Sequence, residues 1–202
     1  KNSFATTLLQ TFAALAVSSI AGYGFEIYHD KAKDTVMAIL MLAMMVPFVA
    51  VLVPLFQMFT KAKLINSWTG FILPSIATPF LIMYFRNSAR SFPRDTLEAA
   101  RIDGLNEFQI FIRMFIPMMK PTYASAATIT FMGAWNAYLW PKVVMQTNEA
   151  ITMPMLVANT MGGYVIDYGV VMAAVTICSL PTVIIFFCLQ KSFTNAVAGA
   201  VK

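Results

Sequence analysis

The side chains with the clearest chemical potential are polar and aromatic residues within otherwise apolar stretches of the chain. Amides and hydroxyls hydrogen-bond the polar groups of a bound molecule, and aromatic rings pack against its apolar faces. Seven residues of these types could line a substrate path: Gln57, Ser75, Thr78, Thr130, Trp135, Asn136 and Tyr138. Two simpler interpretations stay open: Trp135 and Tyr138 suit an aromatic belt at a membrane interface, and Asn136 suits a bond to a neighbouring helix.

Motifs for catalysis and for cofactor binding are absent from the sequence. There is no GxxxxGK[ST] phosphate-binding loop and no GxSxG nucleophile motif, and His29 as the single histidine excludes an HExxH zinc motif. Cys178 and Cys188 share one apolar stretch without metal-ligand spacing. The sequence therefore predicts no catalytic residue, no metal site and no cofactor bound by this chain.

The elements that position these residues are predicted from an unusually apolar composition. Of the 202 residues, 59% are hydrophobic and 11% are charged, and the mean hydropathy is +0.71. Soluble domains have about 45–50% apolar and about 25% charged residues. The composition excludes a disordered chain, a disulfide-rich secreted domain and an ordinary cytosolic enzyme, and it indicates an integral membrane protein in contact with lipid.

Five stretches with few or no charged residues are long enough to cross a bilayer, which takes about 20 mainly apolar residues. They cover approximately residues 4–25, 35–60, 64–85, 111–140 and 168–190. The prediction is an all-α membrane protein with one transmembrane domain over residues 1–202, a helical bundle of about five spans. The shorter apolar stretch 151–166 fits either a re-entrant segment or an external loop.

The basic residues predict the orientation of this bundle, because Lys and Arg concentrate in cytoplasmic loops. With five spans, Lys1, Lys61, Lys63 and Lys142 fall on one side, and the other ten of the 14 basic residues fall on the opposite side. The side with ten is predicted to be cytoplasmic, and it includes the C-terminus. The net charge of +5 is then a topology signal and not a nucleic-acid site. The N-terminus is then predicted to lie on the external side of the membrane, without a basic region before the first span. This suggests that an earlier span is missing.

Small residues and prolines indicate how the helices pack. Ala14, Ser18 and Gly22 recur every four residues, a spacing that lets two helix backbones approach closely in lipid. Prolines such as Pro47 and Pro79 interrupt apolar stretches and predict kinks, because each removes a backbone hydrogen bond. The interpretation is a closely packed bundle, bent either around a path or only locally.

A charged segment over about residues 92–110 has the sequence features of two short helices. Pro93 suits a first helical turn, and Gly104 suits a left-handed turn at the end of the first helix. Asn106 and Gln109 have the spacing of a capping box for a second helix. The first helix could dock on a partner through Leu97, Ala100 and Leu105, with Glu98, Arg101 and Asp103 as polar edges. It could equally lie on lipid headgroups.

The same segment resembles the EAA loop of ABC importer permeases. The match consists of Glu98, Ala99, Ala100, Asp103, Gly104, Ile116, Pro117 and Pro121. The rest of the chain resembles the maltose-type, sugar-importing branch, for example in the Gly-Ala-Trp-Asn sequence that ends at Asn136. The resemblance implies a type I importer permease fold in a bacterial cytoplasmic membrane. It also implies that Glu98, Ala99, Ala100, Asp103, Gly104 and Pro117 form or support a helix that docks on an ATPase.

The resemblance further implies a set of partners and a transport mechanism. The expected partners are a second permease chain, a dimer of ATPase subunits that binds the ATP, and an external sugar-binding protein. Transport would proceed by alternating access, driven by the ATPases. Two other classes stay open at this point: an ATP-independent carrier or channel, and a structural subunit without a substrate path.

Overall fold

The computed structural model describes residues 1–162 and 166–199, with side chains described as far as Cys188. Every regular element in this part of the chain is helical, which confirms the predicted all-α class. The helices are α1 (Asn2–Ile27), α2 (Lys31–Ala43), α3 (Phe48–Lys61), α4 (Trp68–Ile72), α5 (Pro79–Ala89), α6 (Arg94–Ile102), α7 (Glu107–Ile110), α8 (Ile116–Met118), α9 (Lys120–Trp135), α10 (Leu139–Val144), α11 (Met153–Thr160) and α12 (Tyr168–Gly199). A π-helical turn covers Phe111–Phe115, and 3-10 turns cover Leu73–Ser75 and Asn148–Ala150.

The centre of the bundle is formed by α1, α5 and α9, and α9 also packs along α12. Ala14, Phe85 and Ala126 meet there and are almost fully buried. The small residues predicted to mediate packing do so on α1, where Ala14, Ser18 and Gly22 are all buried. A Cβ atom at Gly22 would lie 2.6 Å from the Cβ of Phe85, so the close approach of α1 to α5 requires glycine at this position.

Candidate membrane spans are fewer in the structure than in the sequence prediction. By length and composition, α1 and the Tyr168–Cys188 part of α12 qualify on their own. Two bent pairs qualify only if each pair is one span: α2 with α3, bent by 100°, and Trp68–Ser75 with α5, bent by 51°. The predicted span 111–140 is divided, because α9 has 16 residues and begins after the π-helical turn. The number of five spans stays a prediction.

Prolines explain where the two bent pairs break. Pro47 immediately precedes α3, and Pro79 is the first residue of α5. Proline has no N–H to donate and disfavours helical geometry in the preceding residue, and Thr78 is accordingly extended, with φ −84° and ψ 130°. The predicted kinks at these positions are full breaks. By contrast, Pro54 and Pro181 lie inside the continuous helices α3 and α12.

Helix α1 connects the two ends of the bundle. At its first turn, the Asn2 amide donates to the backbone oxygen of Ile151 at 3.2 Å, and the Ser3 hydroxyl accepts from the Met153 N–H at 2.6 Å. At its last turns, Tyr23 belongs to the hydrophobic cluster around residues 89–119. With 26 residues, α1 is about 39 Å long at 1.5 Å per residue. The stretch 151–166 contains the eight-residue α11, which is too short to span a bilayer.

Candidate functional site

The charged segment over residues 92–110 forms the helix–turn–helix that its sequence predicts. Helix α6 ends in a Schellman motif: the Gly104 N–H bonds the Arg101 carbonyl at 3.1 Å, and the Leu105 N–H bonds the Ala100 carbonyl at 3.0 Å. Gly104 has φ +80°, as this turn requires. The capping box at the start of α7 is also present, with Asn106 and Gln109 bonded reciprocally at 2.9 and 3.0 Å.

One face of α6 is buried against the chain's own bundle. Leu97 and Ala100 are 3% and 2% exposed and pack in a cluster with Phe92, Phe111 and Phe115. The expectation that Leu97 and Ala100 fill a partner's groove is therefore wrong. Leu105 is half-buried against the same cluster. These side chains fix α6 to the bundle and leave its opposite face exposed.

The coupling surface is defined here as the exposed residues Glu98, Ala99, Ile102 and Asp103 at α6, together with the exposed Phe108 of the following helix α7. Ile102 is 86% exposed and Phe108 is 68% exposed, although both are large apolar side chains. Neither Glu98 nor Asp103 forms an ion pair with another residue that the structure describes. An exposed apolar pair flanked by carboxylates is typical of a docking surface, because burial of these side chains on a partner is favourable.

The segment that contains α6 and α7 also packs against α1. The ring of Tyr23 makes edge contacts with Phe111 and Phe115, at centroid distances of 5.3 and 4.9 Å. The Arg101 Nε atom donates to Glu107 at 2.7 Å across the glycine turn, and this bond lowers the pKa of the Glu107 carboxyl below its ordinary value. The pair therefore stays ionised at neutral pH and braces α6 against α7. Pro117 lies further along, in the exposed first turns that lead into α9.

An ionic cluster with the largely buried pair Arg86 and Glu26 at its centre joins α1, α2 and α5 beside this segment. Arg86, with a side chain 7% exposed, bonds Asp34 at 2.5 Å and Glu26 at 3.4 Å. Arg90 approaches the same Glu26 carboxylate at 3.5 Å, and His29 lies 2.9 Å from Asp34. Sequence reasoning missed the cluster because its members lie 52 and 60 residues apart. The available signal was that Glu26 and Arg86 each follow a predicted span on the same side.

Replacing Arg86 with methionine is expected to lower the stability of the bundle. Removing one member of a buried ion pair costs about 3–5 kcal/mol, and the lower end applies because Asp34 is half exposed. The measurement is the thermal denaturation midpoint of the protein in detergent. Arg90→Met is the matched control, since the Arg90 side chain is 62% exposed and little change is expected there. Equal midpoints for the two variants would contradict a structural role for Arg86.

Five of the seven predicted path residues line one cavity of about 570 Å³: Ser75, Thr78, Thr130, Asn136 and Tyr138. Gln57 does not line it and is exposed on α3. Trp135 is buried instead, with its indole N–H bonded to the Cys178 carbonyl at 2.8 Å and its ring stacked on Phe131. The structure thus brings five of these side chains together from separate helices and loops, and it separates the other two.

Sequence reasoning missed one polar residue of this cavity, Gln10 of α1, which is 8% exposed. Gln10 belongs to a buried polar face of α1 that also includes Ser3, Thr6, Thr7 and Thr11. Polar residues recurring at helical spacing in an apolar stretch were the signal that could have found it. An apolar cavity of about 400 Å³ adjoins the first, because Asn136 and Tyr138 line both.

Comparison with known proteins agrees with this geometry. Residues 12–199 match the family described as "Binding-protein-dependent transport system inner membrane component", and the chain belongs to this family. It is 41% identical to the lactose transport system permease protein LacG of Rhizobium radiobacter, over 100% of this chain and 74% of that protein. It is 35% identical to the arabinooligosaccharides transport system permease protein AraQ of Bacillus subtilis, over 100% of this chain and 72% of that protein.

The fold is also that of a solved transporter. The structure superposes with a TM-score of 0.80 on a chain of a bacterial ABC transporter involved in the import of the acidic polysaccharide alginate, covering 95% of this chain and 74% of that one at 24% identity. The protein is thus a multi-pass inner-membrane transport subunit of the ABC importer class. Membership of this family implies that it works with an ATPase and with a binding protein.

Proposed function

We propose that this chain is a sugar-translocating permease subunit that receives the force of ATP binding through the coupling surface. The observation that carries the proposal is the division of α6 into two faces. Leu97 and Ala100 anchor the helix in the bundle, whereas Glu98, Ile102 and Asp103 stay exposed on the other side. A helix fixed firmly on one side and free on the other is suited to transmit a push from a bound partner.

The packing of α6, the aromatic cluster and α1 supports a path by which a displacement of α6 reaches the membrane-embedded helices. A displacement of α6 acts on the aromatic cluster through Leu97, and Tyr23 of α1 contacts Phe111 and Phe115 of the same cluster. Closely packed interiors transmit displacement because they have few voids. Since α1 also lines the polar cavity through Gln10, movement of α1 would change the cavity and produce alternating access.

The proposal assigns the rest of the transporter to other chains. A second permease subunit completes the path, a dimer of ATPases binds and hydrolyses ATP, and an external sugar-binding protein delivers the substrate. This chain itself performs no catalysis and binds no cofactor, and its C-terminus lies in the cytoplasm. Hydroxyl, amide and aromatic groups of the cavity fit a sugar, in agreement with the names of the lactose and arabinooligosaccharide permeases. Family membership disfavours an ATP-independent carrier or channel.

The glycine turn provides the test of this function. Gly104→Pro is expected to reduce ATP-dependent sugar uptake strongly, because proline fixes φ near −65° where the turn needs +80° and removes the N–H bonded to Arg101. Uptake is measured in proteoliposomes that contain both permeases and the ATPases, with the binding protein outside. Gly104→Asn is the control, since asparagine tolerates the left-handed region and a Cβ there meets no atom within 4 Å.

The outcomes separate the proposed function from the other classes. Loss of uptake in Gly104→Pro, with normal membrane insertion and normal uptake in Gly104→Asn, is the expected result. Normal uptake by the proline variant would overturn the coupling role of α6. Sugar uptake by the wild-type chain without the ATPases or without ATP would favour the carrier or channel.

A further inference from the structure

Among the residues that the structure describes, those that line the polar cavity include no Asp, Glu, Lys or Arg, although the chain has 23 charged residues. Its polar members are Gln10, Ser75, Thr78, Thr130, Asn136 and Tyr138, all uncharged at neutral pH. We propose that the cavity admits uncharged sugars and rejects acidic sugars and sugar phosphates, with Gln10 as the amide that selects hydroxyl groups. The inference rests on the proposed sugar-permease function and adds the substrate class.

Gln10 is the most deeply placed of these polar groups. Gln10 is 8% exposed and lines the cavity, and its amide makes no hydrogen bond to any residue in the described part of the chain. Its amide atoms remain accessible from the cavity and are therefore free to bond a ligand. A sugar hydroxyl both donates and accepts, and it would satisfy the amide N–H and carbonyl of Gln10 together.

Among the described residues that line this cavity, an anionic group would find no comparable partner. Carboxylates and phosphates are stabilised in proteins by Arg, Lys or several convergent N–H groups, and moving an unpaired anion out of water is very unfavourable. The first turn of α5 borders the cavity but offers few donors. Pro79 has no N–H, and the N–H groups of Leu81 and Ile82 already bond the Thr78 carbonyl at 3.0 and 3.1 Å.

The aromatic lining agrees with a neutral ring as the ligand. Tyr138 is 38% exposed in a wall shared by two cavities, so its ring is accessible to a sugar. The indole N–H of Trp140 is already bonded to the Gly70 carbonyl at 3.1 Å, and its ring contacts Phe59. Trp140 therefore contributes an apolar surface and no charge or free donor.

The relatives make the distinction informative. The permease named for lactose and the transporter involved in the import of the acidic polysaccharide alginate, both described above, differ in the charge of their cargo. The fold thus carries both neutral and charged cargo in other proteins. Family membership by itself does not choose between the two classes, whereas the side chains on this chain's part of the path favour neutral cargo.

The experiment uses a cysteine placed at Ile129, an apolar residue that lines the cavity, as the reporter, so that Gln10 stays in place. Cys178 and Cys188 are first replaced by serine, and Ile129→Cys is introduced in the assembled transporter in lipid nanodiscs. Maltoside detergents are avoided, because their head groups are neutral disaccharides. The rate of thiol modification by a methanethiosulfonate reagent is measured with lactose or with sn-glycerol 3-phosphate present. Lactose is expected to slow modification by about fivefold at about four times its Kd, and sn-glycerol 3-phosphate to have no effect.

Two further variants keep the test decisive. Gln57→Cys is the control, a cysteine placed outside the cavity, and lactose is expected to leave its modification rate unchanged. Gln10→Leu in the Ile129→Cys background removes the amide, and it is expected to abolish the protection by lactose. Protection by sn-glycerol 3-phosphate equal to that by lactose, or protection by neither, would overturn the proposal. If ATP-dependent sugar uptake persists in that case, the proposed function stands and only the substrate class fails.

Discussion

Replacing both Ile102 and Phe108 with aspartate is expected to detach the ATPase subunits from this chain. The two side chains are 86% and 68% exposed and form the apolar part of the coupling surface. Central apolar anchors of an interface contribute about 2 kcal/mol or more each, or about 30-fold in affinity. Aspartate removes the apolar contact and adds a carboxylate beside Glu98 and Asp103, so the effect on docking is larger still. The measurement is the amount of ATPase that co-purifies with the chain in mild detergent.

The control for this experiment keeps the apolar surface and changes only its shape. A variant with Ile102→Leu and Phe108→Leu is expected to retain the ATPase. Both variants are expected to fold, since neither side chain packs in the hydrophobic clusters of the bundle. Undiminished co-purification of ATPase with the aspartate variant would show that the coupling surface is not the docking site.

The second large effect is expected from Gly22→Ala, which should destabilise the bundle by about 3 kcal/mol, the upper end of the range for overpacking. The added Cβ would lie 2.6 Å from the Cβ of Phe85, 2.7 Å from the backbone nitrogen of Arg86 and 2.9 Å from the backbone oxygen of Ile82. Two of these atoms belong to the backbone of α5 and cannot rotate away. Helices α1 and α5 must therefore separate, which also disturbs the Arg86–Glu26 pair.

Gly24→Ala is the matched control, on the same helix and two residues away. A Cβ at Gly24 would have no atom within 4 Å, and alanine in a helix is more favourable than glycine by up to about 1 kcal/mol. The two substitutions are thus expected to shift the thermal denaturation midpoint in opposite directions. A midpoint for Gly22→Ala equal to or above that of the wild type would show that the α1–α5 contact is looser than the structure describes.

Helix α1 connects the polar cavity with the region of the coupling surface. Gln10 lines the cavity, and Gly22 allows the close contact with α5. Tyr23 packs on the aromatic cluster that also holds α6. Gln10 and Tyr23 are 13 residues apart, or about 20 Å along the helix. One rigid helix therefore spans the distance between the coupling surface and the cavity.

The sequence by itself determined the features that depend on near neighbours. The capping box joins Asn106 to Gln109, and the left-handed turn at Gly104 follows from bonds that reach at most five residues. Both were predicted correctly because turn and cap geometry is decided by the residues that form it. The all-α class followed equally from composition, since a chain this apolar satisfies its backbone in lipid by helices. The breaks at Pro47 and Pro79 were local as well.

Only the tertiary structure decided which side chains face each other across the bundle. Leu97 and Ile102 are both apolar residues of α6, yet one is 3% and the other 86% exposed, because the aromatic cluster lies on one side only. Arg86 pairs with Asp34 and Glu26, which lie far from it in the chain. Gln10 and Tyr138 line the same cavity although they are also far apart in the sequence. Local sequence rules carry no information on such contacts, since these depend on how whole helices pack and on the 100° bend between α2 and α3.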